Sequence, residues 1–174
     1  AYGDGGGVYV EGGTFTMTGG TITNNEAASM GGGVLVTGTG GRFTVSGKVN
    51  VTGNKKGGTT ANDVYLFSGK SITVDGKLDS TAKIGVTCAG VATGKSVTVA
   101  TGGADSCTED NFTANAGGAH VIKVEPGADA DRVNVKLYNG QPPVETHTHY
   151  LCGGDECTEV GSHHDTEKIP FTAW

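Results

Sequence analysis

The residues best suited to chemistry are gathered towards the C-terminal end. Four of the five histidines and two of the four cysteines fall between positions 147 and 164, spaced His147-x-His149-x2-Cys152-x4-Cys157-x5-His163-His164. Zinc takes four nitrogen or sulfur ligands in a tetrahedron. Two thiolates and one imidazole from each histidine pair would fill that shell. The first choice of ligands is Cys152, Cys157, His147 and His163, with His149 and His164 as alternates. All four positions would be occupied by protein, so such a zinc would be structural. The same spacing suits a Cys152–Cys157 disulfide beside solvated histidines, and the sequence leaves both readings open. The segment from Thr146 to Lys168 has few apolar side chains to offset its ordering entropy, so a clip of either kind would matter here.

Other constellations are thinner. Cys88 and Cys107 flank a Gly-, Asp- and Ser-containing stretch, and a disulfide between them would suit an exported protein. Polysaccharide cleavage needs paired carboxylates, or a base with calcium ligands, in one groove. Asp4, Glu11, Asp63, Asp75 and Asp79 are spread with the repeats and read as solvated turn residues. Asp105, Glu109 and Asp110 form one acidic loop, at most a weak calcium site. Gly5-Gly6-Gly7 precedes a strand pattern rather than a helix, so it is no phosphate cradle. No enzyme is expected; the alternative is a polysaccharide lyase or glycosidase-like domain. Tyr9, Leu35 and Tyr65 hold matching places in successive repeats and would form an outward stripe. Such a stripe could take sugar rings or a neighbouring domain, or simply stack on itself.

These residues must be positioned by a repeating framework. Gly5-Gly6-Gly7-Val8-Tyr9-Val10 returns as Gly31-Gly32-Gly33-Val34-Leu35-Val36. Thr14-Phe15-Thr16-Met17 returns as Arg42-Phe43-Thr44-Val45, and Thr21-Ile22-Thr23 as Asn50-Val51-Thr52. A looser third copy runs Val64-Tyr65-Leu66, Ile72-Thr73-Val74 and Leu78. A period of roughly 26–30 residues means stacked repeats, and period-two alternation turns one face of each stretch inward. The inward sets are Val8, Val10, Phe15, Met17 and Ile22; then Val34, Val36, Phe43, Val45 and Val51; then Val64, Leu66, Ile72, Val74 and Leu78. Three strands per turn with glycine corners describe a coil of a parallel β-helix. Further on, His120–Val124 and Arg132–Leu137 alternate around Pro126-Gly127 and suggest paired terminal strands.

Composition agrees. Gly reaches 32 of 174 residues while Pro is only 4, and no strict Gly-X-Y period exists, which excludes collagen. The net charge is -6 and the 12 basic residues form no stripe, so nucleic acid is a poor partner. No apolar run approaches the roughly 20 residues of a membrane helix.

The segment from Gly5 to Asn25, GGGVYVEGGTFTMTGGTITNN, resembles the right-handed parallel β-helix repeats of large adhesin-type surface proteins from gut bacteria. The stretch Asn62 to Val86 resembles the end of such an array. His147 to Trp174 is similar to a His/Cys-rich junction that precedes a further β-helix. The resemblance implies an all-β fold: a short right-handed solenoid at 1–100, a terminal strand cap at 101–140 and a His/Cys-rich junction at 141–174. It implies a secreted or cell-surface location and adjacent β-helix domains of one parent chain as partners. The chain opens inside a repeat, so we expect a piece of a larger protein. The expected role is a stalk or adhesin segment, with host or bacterial glycans as further partners. The alternative is a carbohydrate-binding or polysaccharide-degrading β-helix domain.

Overall fold

The computed structural model describes residues 3–115 and 119–143 in full, and strands 146–153 and 156–164 by their backbone. The first turn contains β1 (Val8–Val10), β2 (Thr14–Ile22) and β3 (Glu26–Ala27). The second contains β4 (Val34–Val36), β5 (Arg42–Val51) and β6 (Lys55–Lys56), against which β7 (Thr60–Ala61) folds back antiparallel. The third contains β8 (Val64–Leu66) and β9 (Ile72–Leu78), and β10 (Lys83–Cys88) carries the chain into the fourth. Then follow β11 (Ser96–Gly103), β12 (Phe112–Ala114), β13 (His120–Pro126) and β14 (Arg132–Asn139). The result is a β-solenoid of about four turns.

Thr and Val favour these pleated stretches, and Gly20, Gly47 and Gly76, at φ 93°, 67° and 97°, lie inside β2, β5 and β9, so these glycine corners are bends within a continuous strand rather than breaks between two. Stacking is parallel and in register. Val8, Val34, Val64 and Val86 form one column. Phe15, Phe43, Ile72 and Ala100 form a second. Ile22, Val51, Ile84 and Phe112 form a third. The valine and phenylalanine columns are those expected from the repeats. The two phenyl rings stack with centroids 5.3 Å apart and planes 13° from parallel. Val34, Phe43, Val51, Val64, Ile72, Ile84 and Val86 are fully buried, whereas Val8, Phe15 and Ile22 of the first turn stay partly exposed.

One expected position needs correction. The repeats align Leu78 with Ile22 and Val51, but Ile84 holds that place and Leu78 pairs with Gly47. Leu78 is still interior, at 3% exposure. The cause is the turn after β9. The Asp79 carboxylate accepts the backbone N–H and hydroxyl of Thr81 at 2.8 and 2.6 Å, and this tight turn redirects the chain so that Lys83–Ile84 lies beside the end of β5.

Beyond the fourth turn the direction changes. β11 pairs parallel with β9 at Ala100 and Thr101, and antiparallel with β14 along its whole length. β13 pairs antiparallel with β14 from His120↔Asn139 to Pro126↔Val133, the paired strands expected around Pro126-Gly127. The chain divides into two compact units, Ala1–Gln141 and Pro142–Trp174. The second contains β15 (Thr146–Gly153) and β16 (Glu156–His164), an antiparallel pair. Among the described residues, no helix is long and apolar enough to cross a membrane.

Candidate functional site

The outer face of β1, β4 and β8 carries the expected stripe. Alternation sends Val8 and Val10 inward and Tyr9 outward, and the register places Tyr9 beside Leu35 and Leu35 beside Tyr65. The three positions differ in openness. Tyr9 is 51% exposed, Tyr65 is half-buried, and Leu35 is only 1% exposed although it belongs to the outer face. Leu35 holds the middle of the stripe, with Tyr9 on one side and Tyr65 on the other. Gly31 sits at φ 65°, and a Cβ there would fall 2.6 Å from the Leu35 Cβ, so only glycine lets the loop before β4 lie so close. Phe67 meets Tyr65 edge-on at 5.7 Å, which extends the aromatic surface by one ring. Tyr9, Tyr65 and Phe67 are therefore the groups of this face that can meet a partner, with Leu35 as their support.

A second feature, not anticipated from the sequence, runs through a corner of the solenoid. Asn54 Oδ1 accepts the backbone and side-chain N–H groups of Asn25, both at 3.0 Å. Asp63 Oδ1 accepts the backbone N–H of Asn54 at 2.7 Å and its Nδ2 at 2.9 Å. Asn115 closes the chain by accepting the Asp63 N–H at 2.8 Å and donating Nδ2 to Asp63 Oδ2, also at 2.8 Å. Asn54 and Asp63 are buried, at 0% and 4% exposure. This ladder satisfies backbone donors that the corner would otherwise leave unpaired. Its signal was present in the sequence: Asn25 and Asn54 hold matching places, each after the long strand of its repeat and directly before β3 or β6. Gly85 belongs to the same device, since a Cβ there would come within 2.1 Å of Asp63 Oδ2.

At the outside of that corner, Asn24, Asn25, Glu26, Gly53, Lys55 and Gly58 line an open cleft of about 220 Å3. Asn24 adopts φ 58°, the left-handed conformation that Gly53 supplies one turn on at φ 73°. The cleft is shallow and polar, and Glu26 and Lys55 face each other across the β3–β6 pairing.

The acidic loop is engaged internally. Glu109 pairs with Lys123 at 3.4 Å and accepts the Val124 N–H at 3.2 Å. Asn111, buried beneath it, donates to the carbonyls of Asp79 and Ala82 at 3.0 and 3.1 Å. Among the described residues, no three His, Cys, Asp or Glu side chains converge as a metal site would need.

The structure does not bring Cys88 and Cys107 together; both are free thiols. Cys88 ends the β10 stretch that pairs with Leu66, whereas Cys107 follows Ser106, whose carbonyl accepts the N–H of Leu78. The two thiols therefore occupy different corners. Burial pushes both thiols up from their ordinary pKa, opposed in part by the Ala89 carbonyl at Cys88 and by Ser106 at Cys107. Neither is an activated nucleophile.

The expected zinc ligands Cys152, Cys157, His147 and His163, and the alternates His149 and His164, have side chains outside the described part of the structure. Their backbone register is described: Cys152 lies opposite Cys157, His147 opposite His163, and His149 opposite Gly161. Comparison with known proteins finds no matching protein family, no matching curated protein and no matching solved structure.

Proposed function

We propose that this chain is a structural and display segment of a secreted or cell-surface bacterial protein, a stalk or adhesin module set between further β-helix domains. The coil is right-handed, following the strong handedness preference of parallel β crossovers. The antiparallel β11–β14–β13 arrangement acts as its cap, because it turns the parallel stack into a self-paired end. One observation supports the structural role above the others. Continuous side-chain columns and the asparagine ladder run through successive turns and tie each turn to the next. Rigid repetition suits holding a surface at a distance. Antibodies raised against the purified chain should label intact, unpermeabilised cells of the source organism. Labelling only after lysis would overturn this reading.

A carbohydrate-binding role is the second reading, favoured by the exposure of Tyr9 on the same face as Tyr65, which Phe67 meets edge-on. Aromatic faces at this spacing suit sugar rings. If this holds, glycan arrays should give saturable binding that drops at least tenfold in Tyr9→Ala and Tyr65→Ala with unchanged thermal stability. Binding indifferent to both substitutions would remove the stripe from consideration. Pectin, mucin glycans and plant polysaccharides should stay intact. Release of reducing ends or unsaturated products, lost on carboxylate substitution, would move the protein to the enzymes.

A further inference from the structure

The register of β15 on β16 carries an inference about the two cysteines of the second unit. Cys152 and Cys157 are direct cross-strand partners, followed by Gly153 opposite Glu156. Directly opposed residues of an antiparallel pair have Cα atoms about 4.5–5.5 Å apart. A disulfide spans Cα separations of about 4.4–6.8 Å. The backbone thus already holds the two residues at bonding distance, and no other chain movement is required.

The same register separates the histidines from them. His147 and His163 also oppose each other, but five positions along β15 from Cys152, which is roughly 17 Å at the rise of an antiparallel strand. Zinc ligands must all lie within about 2.0–2.3 Å of one point. His149 is nearer, three positions from Cys152, yet strict alternation places it on the opposite face of β15. The one register shift in the hairpin falls between His149 and Tyr150, where β16 has the extra residue Val160, so it does not change the alternation along β15. A single site that uses both cysteines and a histidine from each pair therefore does not fit this hairpin.

We propose that Cys152 and Cys157 form an intrachain disulfide that closes the β15–β16 hairpin. The oxidant is an external low-molecular-weight disulfide such as oxidised glutathione. The Cys152 thiolate attacks one sulfur of that disulfide and releases one glutathione thiolate. The Cys157 thiolate then attacks the mixed disulfide at the Cys152 sulfur and releases the second. Two protein thiols are oxidised, one glutathione disulfide is reduced to two thiols, and the two protein protons pass to them. Cys88 and Cys107, partly or wholly buried in different corners of the first unit, stay reduced. The inference rests on the hairpin register and is independent of the stalk and glycan readings.

The test is a thiol count on the full chain after equilibration in an oxidising glutathione buffer, with alkylation in denaturant. Two free thiols per chain are expected, rising to four after reduction. Peptide mapping should link Cys152 to Cys157 within one chain, and Cys152→Ser should give no linked peptide, with Cys157 recovered as a glutathione adduct or a free thiol and Cys88 and Cys107 still free. Because alkylation is done on unfolded protein, a variant that fails to fold still gives a readable count. Four free thiols, a Cys88–Cys107 link, or one equivalent of bound zinc that protects Cys152 and Cys157 from oxidation would each overturn the proposal.

Discussion

Asn54 is the residue on which the corner ladder depends most. It is fully buried, accepts two donors from Asn25, and donates Nδ2 to the carbonyls of Ile22 and Thr52, at 2.9 and 3.2 Å, and to Asp63. Removing its side chain leaves a buried carboxylate short of a donor and the Asn25 donors short of an acceptor. Leaving buried polar groups unpaired costs more than an average hydrogen bond contributes. Asn54→Ala should therefore lower unfolding stability by about 2–4 kcal/mol, while Asn24→Gly, at an exposed left-handed position, should be neutral or mildly stabilising. Urea denaturation followed by circular dichroism distinguishes them; equal losses would show that the ladder is not the source. Tyr138 supplies a pH signature. Its O–H donates to Glu125, and this bond, with burial and the Glu125 charge adding to it, raises the phenol pKa above 10.0. A raised folded pKa means that the native state holds its proton more tightly. The contribution is complete below the unfolded value near 10 and is lost as pH rises through the folded value. Stability should fall above pH about 10 more steeply in the native sequence than in Tyr138→Phe. Parallel alkaline curves would show that the Tyr138–Glu125 bond contributes nothing.

At the level of strands, position in the stack decides what the same residue type is worth. Phe43 is fully buried between Phe15 and Ile72, whereas Phe15 lies in the first turn and is half-buried. Phe43→Ala should cost about 3–5 kcal/mol, and Phe15→Ala clearly less, because part of its surface is already in water. Equal losses from the two substitutions would mean that another element covers the first turn. This difference was not legible in the sequence, where both phenylalanines sit in near-identical Phe-Thr contexts. What the repeats did reveal was the register, since Gly-Gly-Gly-Val and Phe-Thr mark the same strand starts in each copy. The reading failed where the third copy departs from the first two. By alternation Leu78, the last apolar residue of β9, succeeds Val51, but the Asp79–Thr81 turn moves that role to Ile84. Burial of Leu35 was hidden for a related reason. It depends on the tyrosines that stacking brings to either side of it, and alternation within one strand says nothing about neighbouring turns. The corner ladder was missed because asparagine at a turn reads as ordinary turn chemistry. Only stacking shows that successive asparagines meet.

For the molecule as a whole, a solenoid is nearly one-dimensional, and its stability is a sum of turns and of the contacts between neighbouring turns. The inner turns of the first unit have neighbours on both sides. β4 lies between β1 and β8, and β5 between β2 and β9. Among the described residues, β1, β2 and β3 each pair along one edge only, with β4, β5 and β6. The apolar residues of that edge, Val8, Phe15 and Ile22, keep partial exposure, while their partners Val34, Phe43 and Val51 have none. Both the interface term and the burial term are therefore smallest in the first turn. Local opening draws on the least stable unit first. The chain should not exchange its amide hydrogens uniformly. Amides of Val34–Val36 and Arg42–Val51 should exchange at rates close to those of global unfolding, and those of Val8–Val10 and Thr14–Ile22 at least tenfold faster. Phe15→Ala should widen the gap by speeding exchange in the first turn alone, whereas Asn54→Ala should narrow it by lowering protection in the second turn. Hydrogen exchange read by mass spectrometry on peptides covering each turn measures all three outcomes. Protection in the first turn equal to that in the second would mean that its free edge is covered in solution, and that the unit does not melt from this end.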